Sequence, residues 1–496
     1  VVAARARRRA QPGGITARRR RRGDVVSAAA SSALHRLRER AGVELVERIE
    51  HLDAVRAERR VDRALTPPDA GAHVDADVVM GGGGLSLLVA AELARLGVSV
   101  TVVERSRAGA AHREWNASDA ELTPLVETGI VTREELERIV VARYRDGICA
   151  FHGGVPRHVT GVLDCAVDAG PLLARIREVA SARGVRFVDG GTVDALGVGP
   201  RSVRVAWSGP APGEAVARVF VDGRGASSPY ATSDLVCPTV GGVLRGLRVG
   251  KGPRELDPQL GEILVTTEHA DRGRQHVWEG FPGHPGEMTV YLFYYARTRD
   301  ARGPALAELY ARFFDTLGEY KEGEAELVRP TFGYIPGWSR LAAAPRAPAR
   351  VALVGDAAAR HSPLTFCGFG SMVRSFRETA GLIASAVAHD RAPPSSVVPE
   401  LPVHAWTGAL ATVMASGELD GPKLNGLLDA AFGVLEEMGN EDFAALLQDR
   451  MSGTRFTEFL RLTGARHPAV YREVLAALGP VAAVRWGARL AREVLA

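Results

Sequence analysis

Lysine is nearly absent from this chain: Lys251, Lys321 and Lys423 are the only three among 62 basic residues. That bias fits a GC-rich coding preference better than selection for phosphate contacts. Cysteine is sparse as well. Cys149, Cys165, Cys237 and Cys367 are scattered, with no C-x-x-C and no histidine pattern nearby. The scatter argues against a disulfide framework or a cysteine-built metal site, so no metal is expected and the chain reads as cytoplasmic. Long apolar runs are also missing. None reaches the roughly 18 residues of a spanning helix, so any membrane association would be peripheral. Acidic residues are missing from positions 1–23, which hold nine arginines. Without those nine charges the formal +4 of the whole chain becomes −5, and the body is therefore no nucleic-acid binder.

The tail itself, with Arg5, Arg7 to Arg9 and Arg18 to Arg22, has three readings. It could meet anionic lipid or nucleic acid, or act as a targeting segment that lacks the apolar core of a signal peptide. The reading adopted for residues 1–23 is a disordered leader, upstream of the true start. The rest of the chain, at 496 residues and 46% apolar content, can bury a sizeable core and suggests two to three domains.

What is present begins at Asp77-Val78-Val79-Met80, a short apolar strand running into four glycines. Gly81 and Gly83 fall on the first two positions of G-x-G-x-x-G, and Ser86 takes the third, where a small residue lets helix and strand pack closely. Leu85 to Leu96 reads as an apolar helix whose N-terminus would face a pyrophosphate. Gly97 stops it, Val98 to Val103 forms a second strand, and Glu104 ends that strand where a carboxylate should hold ribose hydroxyls. Arg105 and Arg113 complete the expected contacts on this side. Some 250 residues later the strand Val351 to Val354 delivers Gly355-Asp356, whose carboxylate is placed to accept from a ribityl hydroxyl. Pro363, Gly368 and Gly370 then open a helix whose amides would point at a flavin's pyrimidine carbonyl. The two motifs together predict an FAD site in an α/β, Rossmann-like domain of the glutathione-reductase or hydroxylase type.

The remaining pattern divides the chain. Residues 24–72 have helical spacing, with Leu34, Leu37, Val43, Leu45, Val46, Ile49 and Leu52 among charges, and Pro67-Pro68 marks their end. The FAD-binding domain is expected at 73–236 and 346–400, leaving at the strand that ends in Asp222-Gly223; Asp222 is a further cofactor candidate. Ser118 and Thr132 precede acidic turns as helix caps should. Residues 237–345 alternate strands and turns and predict an inserted antiparallel substrate domain. Residues 401–496 read as a helical cap, with a bilayer-docking surface as the alternative.

Several blocks carry a more specific likeness. Arg113-Glu114-Trp115-Asn116, Glu121-Leu122, Leu125 to Ile130, Trp278 to Pro282, Ser362-Pro363-Leu364 with Phe366 to Arg374, and Leu424-Asn425 to Gln448-Asp449 resemble the CruA/CruP-type lycopene cyclases over roughly residues 75 to 490. That family is related to geranylgeranyl reductases and flavoprotein hydroxylases. The resemblance implies bound FAD, a long apolar polyene as substrate, and ring closure started by a proton, with reduced flavin sheltering the cation. NAD(P)H would serve at most to reduce the flavin. Glu279 is the candidate acid/base, with Trp278, Phe281 and Phe366 as aromatic walls that would raise its pKa and stabilise a cation. The alternation of a strand would instead turn Glu279 to solvent. The acidic Phe-Leu-Glu-Glu-Thr motif of plant-type cyclases is absent, since the comparable strand is Tyr291-Leu292-Phe293-Tyr294-Tyr295.

The competing reading is an FAD-dependent oxidoreductase on a lipophilic substrate, either a polyprenyl reductase or an NAD(P)H-dependent monooxygenase. The monooxygenase pattern asks for an arginine after Asp-Gly and Ser, and Ser227-Ser228 are followed by Pro229-Tyr230-Ala231-Thr232. A halogenase would want Trp-x-Trp-x-Ile-Pro and a conduit lysine, and neither is present. A non-catalytic carotenoid- or lipid-binding flavoprotein is the reading from a different class.

Overall fold

A computed structural model describes residues 27–495 except 56–60, 111–113, 232, 272, 300–304, 342–345, 360–361, 366–367 and 395–402. The arginine-rich tail, Arg113 and Phe366 lie outside the described residues. Strand Ala76–Gly81 is followed by helix Leu87–Arg95 and strand Val100–Glu104. The helix buries Leu87, Leu88, Val89, Ala90, Ala91 and Leu93 completely. A helix this apolar must lie flat on a sheet, and that return makes the two strands parallel. Strand Arg186–Asp189 pairs on one side of Val100–Glu104. Strand Gly213–Asp222 pairs on the far side of Ala76–Gly81 and carries Val351–Leu353 beside it, both in parallel. A meander through Thr192–Val198 and Val203–Ser208 extends the sheet, which has eight strands among the described residues.

The second sheet runs in the order Ala296–Arg297, Leu235–Leu247, Met288–Tyr294, His276–Pro282, Leu260–Val265, Asp146–Ala150, Arg157–Thr160, with Gly323–Gly337 also paired to Leu235–Leu247. It is antiparallel except where Leu260–Val265 meets Asp146–Ala150. Those last two strands come from the stretch before 237, so this sheet is not confined to residues 237–345. Helices Ala28–Ala41, Val43–Val55 and Ala305–Tyr320 cover one face, burying Leu34, Leu37, Val46 and Ile49 against Trp278, Leu292 and Tyr310. Val43, counted with the apolar stripe, is half exposed instead. The other face lies under the C-terminal helices, which begin at Val403–Met414 and include Pro422–Met438, Asn440–Leu447 and Gly453–Arg466. Burial on both faces explains why this sheet carries large apolar residues on both sides of each strand.

Caps fall where the sequence places them. The Thr132 hydroxyl accepts from the Glu135 amide at 3.1 Å, while the Glu135 carboxylate accepts from the Thr132 amide at 2.8 Å. Glu121 likewise accepts from the Ser118 amide at 2.9 Å. These short elements join the two sheets through a small sheet of Glu114–Ala117, Cys165–Asp168 and Val140–Arg143.

Candidate functional site

Register brings the two distant motifs together. Asp222, the last residue of its strand, pairs with Gly81 on one side and with Leu353 on the other. The glycine turn after Gly81 and the Gly355-Asp356 turn therefore leave the same carboxyl edge of the sheet, flanking one strand end. In open α/β sheets this edge is where ligands bind.

The turn is built by close packing. Gly82, not Gly81 or Gly83, has the left-handed conformation, at φ +102, and a Cβ there would overlap the carbonyl oxygen of Gly223. A Cβ on Gly83 would come within 2.6 Å of the Ala108 side chain. Ser86 is buried, and its hydroxyl donates to the Gly82 carbonyl at 2.9 Å. It also packs where a Cβ on Gly223 would sit, so this third position holds two loops together. Gly84 has open space around it and is exposed. The amides of Gly84, Leu85 and Ser86 donate to no described residue, which leaves three donors at the start of helix Leu87–Arg95 for an anion.

Glu104 reaches back to this turn. Its carboxylate accepts from the Gly83 amide at 2.7 Å and from the Ser106 amide at 3.0 Å. The Ser106 hydroxyl donates to that second oxygen as well, at 2.9 Å, so it is the oxygen facing Gly83 that keeps a further lone pair for a ribose hydroxyl. Arg105 is exposed at the strand end.

Asp222 has a different situation from the one its position suggests. Fully buried, its carboxylate accepts from Arg224 Nε at 3.0 Å and Nη2 at 2.7 Å and from the Ser228 hydroxyl at 2.7 Å. Arg224 is also gripped by Asp62, from the segment before the sheet, at 2.8 and 3.0 Å. Asp222 thus locks the Gly223–Ser228 turn, and the guanidinium of Arg224 is committed to two carboxylates. No sequence signal pointed to Asp62.

On the second wall Gly355 takes φ +59 and Asp356 is half buried. Asp356 lies close to Gly225 and to Gly368, the first residue of helix Gly368–Ala388. Pro363 is buried in the turn before that helix. Gly370 is a glycine for another reason: a Cβ would sit 2.9 Å from the Glu121 carboxylate, which also pairs with Arg374 one turn on. Trp115 stacks on Phe369 at 5.0 Å. Gln448 donates to the Ser118 hydroxyl at 2.6 Å and to the Gly161 carbonyl at 2.7 Å. Glu121, Arg374 and Gln448, scattered over the chain, thus tie the helical cap and the helix at Gly368 to one small sheet.

Glu279 lies on strand His276–Pro282 directly opposite Tyr291. Its neighbours two residues away, Val277 and Phe281, belong to the apolar cluster beneath the C-terminal helices. Trp278 points the other way, stacking on Tyr320 at 4.6 Å beneath helix Ala305–Tyr320. Glu279 is therefore half-buried on the face under the C-terminal helices and turned away from Trp278. Its face carries Phe281, Tyr291, Phe293 and Tyr295, with Tyr144 stacked toward Phe281 at 6.2 Å. The Glu279 side chain forms no hydrogen bond or ion pair among the described residues, and burial alone raises its carboxyl pKa to about 8. Nearby Cys149 and Cys237 are buried, and burial raises both thiols. The Tyr295 hydroxyl donates to the Leu364 carbonyl, linking this wall to the turn before Gly368. Tyr144, held by the Asn116 amide at 2.8 Å, and Tyr295 are the residues of this face that sequence reasoning missed; Tyr144 comes from the segment between strands Val140–Arg143 and Asp146–Ala150, far from Glu279 in sequence.

No protein-family model matches the chain, and no curated protein does. Solved structures with a similar fold include a geranylgeranyl bacteriochlorophyll reductase-like protein from Thermoplasma acidophilum. It is 14% identical with a TM-score of 0.53, over 82% of this chain and 99% of that one. The halogenase PltM in complex with phloroglucinol and FAD is 14% identical with a TM-score of 0.55, over 84% and 96%. A flavoprotein/dehydrogenase from Cytophaga hutchinsonii gives 14% and 0.55, over 75% and 92%. The chain has the α/β fold of these flavoproteins, with its parallel nucleotide-type sheet, its antiparallel sheet and its helical C-terminal region.

Proposed function

We propose that this protein is an FAD-dependent oxidoreductase acting on a long, apolar, unsaturated substrate. The support for FAD is the strand edge itself: three unengaged amides at Gly84, Leu85 and Ser86, the Glu104 carboxylate, and Asp356 across the same strand end. Gly81, Gly82 and Gly83 would let the backbone approach the pyrophosphate, and Asp356 would take a ribityl hydroxyl. Once reduced by an external electron donor, the flavin would supply hydride to one carbon of a double bond while a proton adds to the other.

The observation that carries the reading is Glu279. A carboxyl with no partner among the described residues, raised to about 8 and set among aromatic rings, is protonated at neutral pH. It can give a proton to an alkene carbon, which an ordinary carboxylate cannot. The rings of Phe281, Tyr291, Phe293 and Tyr295 would shelter positive charge on the adjacent carbon and keep water away. Lys321 is buried against Glu262 at 2.6 Å on the far side of the sheet, and Lys251 and Lys423 are exposed. No lysine is placed to relay a halogenating agent, which weighs against a halogenase.

A second reading, lycopene cyclase, is favoured by the same acid and by the engagement of Arg224, which leaves no arginine at that turn for a nicotinamide cofactor. There Glu279 would deliver a proton to the terminal double bond and take one back after ring closure, with no net electron transfer. NAD(P)H would then matter only for keeping the flavin reduced. Incubating the purified protein with reduced flavin and either a geranylgeranyl lipid or lycopene separates the readings by product mass. Two added hydrogens per saturated bond support the reductase; an unchanged mass with shifted absorption supports the cyclase; added oxygen supports a monooxygenase. Recovery of unaltered substrates bound to the protein would overturn both catalytic readings and leave a binding flavoprotein.

A further inference from the structure

The last two helices, Val470–Leu478 and Pro480–Leu495, meet at Gly479. Their inner side is accounted for: Val470, Val474 and Ala477 from the first, and Trp486 and Leu490 from the second, pack on the apolar cluster that also holds Phe281. The outer side is apolar too. Tyr471 and Leu475 are each 53% exposed, Val481 64% and Val484 72%. Elsewhere among the described residues, exposed large apolar side chains are scattered singly, as they are on any soluble surface. Here four fall within two adjoining helices, and exposed Ala488 continues the Val481, Val484 spacing by one turn.

Charge at the same place is unusual in its pairing. Arg472 and Arg485 are exposed beside this stripe, and neither forms an ion pair with a described residue. On the preceding helix Arg455, Arg461 and Arg466 all do, with Asp442, Glu458 and Glu437. An apolar stripe edged by uncommitted arginines is the pattern of a helix lying in a lipid interface. Pairing with a second copy would gather four unpaired arginines in one contact, which disfavours it. No helix among the described residues is long and apolar enough to cross a membrane.

We propose that the outer face of helices Val470–Leu478 and Pro480–Leu495 docks on an anionic lipid bilayer, with Leu475, Val481 and Val484 entering the headgroup region and Arg472 and Arg485 meeting lipid phosphates. The inference goes beyond the catalytic reading and does not depend on it, because vesicle binding requires neither flavin nor substrate. Docking would place the cap over Glu279's face against the phase in which a long polyene dissolves.

The test is flotation of the full chain with vesicles of phosphatidylcholine alone or mixed with phosphatidylglycerol. The protein is expected to float with the mixed vesicles and about tenfold less with phosphatidylcholine alone or in high salt. The triple variant Leu475→Glu, Val481→Glu, Val484→Glu should lose flotation at least tenfold, as should Arg472→Glu with Arg485→Glu, with circular dichroism unchanged. These positions are exposed, so the fold should survive. A wild-type chain that stays at the bottom of the gradient, or a triple variant that floats like wild type, would overturn the proposal. So would a wild-type dimer that the triple variant converts to monomer without any vesicle binding, since that assigns the face to a second copy.

Discussion

Replacing Glu279 with glutamine should stabilise the protein in alkaline buffer and leave it nearly unchanged in mild acid. The native carboxyl holds its proton up to about pH 8, whereas in the unfolded chain it releases it near the ordinary value of 4.5. Between those limits the native state binds more protons than the unfolded state. Stability from this group is therefore fully present below about pH 4.5 and is lost as pH rises toward 8. Each pH unit of that window is worth about 1.4 kcal/mol, so the full loss is on the order of 5 kcal/mol, and the partial exposure of the side chain brings it toward about 3 kcal/mol. Glutamine has a similar shape and no proton to release. The assay is urea denaturation of both proteins near pH 5 and near pH 8.5, read as the shift in midpoint at constant slope. The variant should be about 3 kcal/mol more stable than wild type at the higher pH and within about 0.5 kcal/mol of it at the lower. Equal differences at the two pH values would refute the claim that Glu279 is a desolvated acid with a raised pKa, and with it the proton-donor role. If that role holds, the same variant should lose roughly 10²- to 10⁴-fold in turnover, while flavin content stays unchanged.

Other outcomes follow from the strand edge and its locks. Gly82→Ala forces a Cβ into the Gly223 carbonyl at a positive φ, so the purified variant should carry little flavin and melt several degrees lower; a normal melting temperature would contradict the packing described. Gly84→Ala meets nothing within contact distance, so its melting temperature should hold while flavin affinity, measured by fluorescence titration, falls about tenfold through crowding of the phosphate site. Asp222→Ala leaves the buried Arg224 with Asp62 alone, and chemical denaturation should show a loss of about 3 to 5 kcal/mol; adding Arg224→Met should recover part of it. Lys321→Met strands the Glu262 carboxylate in the same way, at a comparable cost, and Glu262→Gln on that background should restore stability in part. No recovery in either double variant would show that the charges are not coupled as described.

How much of this was legible in the sequence depended on how local each feature is. The glycine turn, its helix and the Glu104 strand fill one βαβ unit, and their spacing is set by backbone geometry within some 30 residues, so they could be read directly. Even there the four consecutive glycines hid which one turns, because φ +102 at Gly82 is imposed by Gly223, 141 positions away. The Gly355-Asp356 turn was recognisable by its residues, but its place beside Asp222 exists only through strand register. The second sheet was less legible. Asp146–Ala150 joins it by pairing with a strand more than a hundred residues later and carries its hairpin partner Arg157–Thr160 with it, and no periodicity within 146–160 names that distant partner. The two faces of strand His276–Pro282 show why the acid was hard to place. Alternation separates Trp278 from Glu279 in any strand, and a reader who assumes one solvated face must send the glutamate to water. Both faces of this sheet are covered, so the charged residue had to go under a cap of helices built from residues 403 onward. A carboxyl in such a place costs stability unless it is paired or protonated. That it stands among aromatic rings, with neither arginine nor lysine paired to it among the described residues, is the strongest reason to read it as chemistry and not as structure.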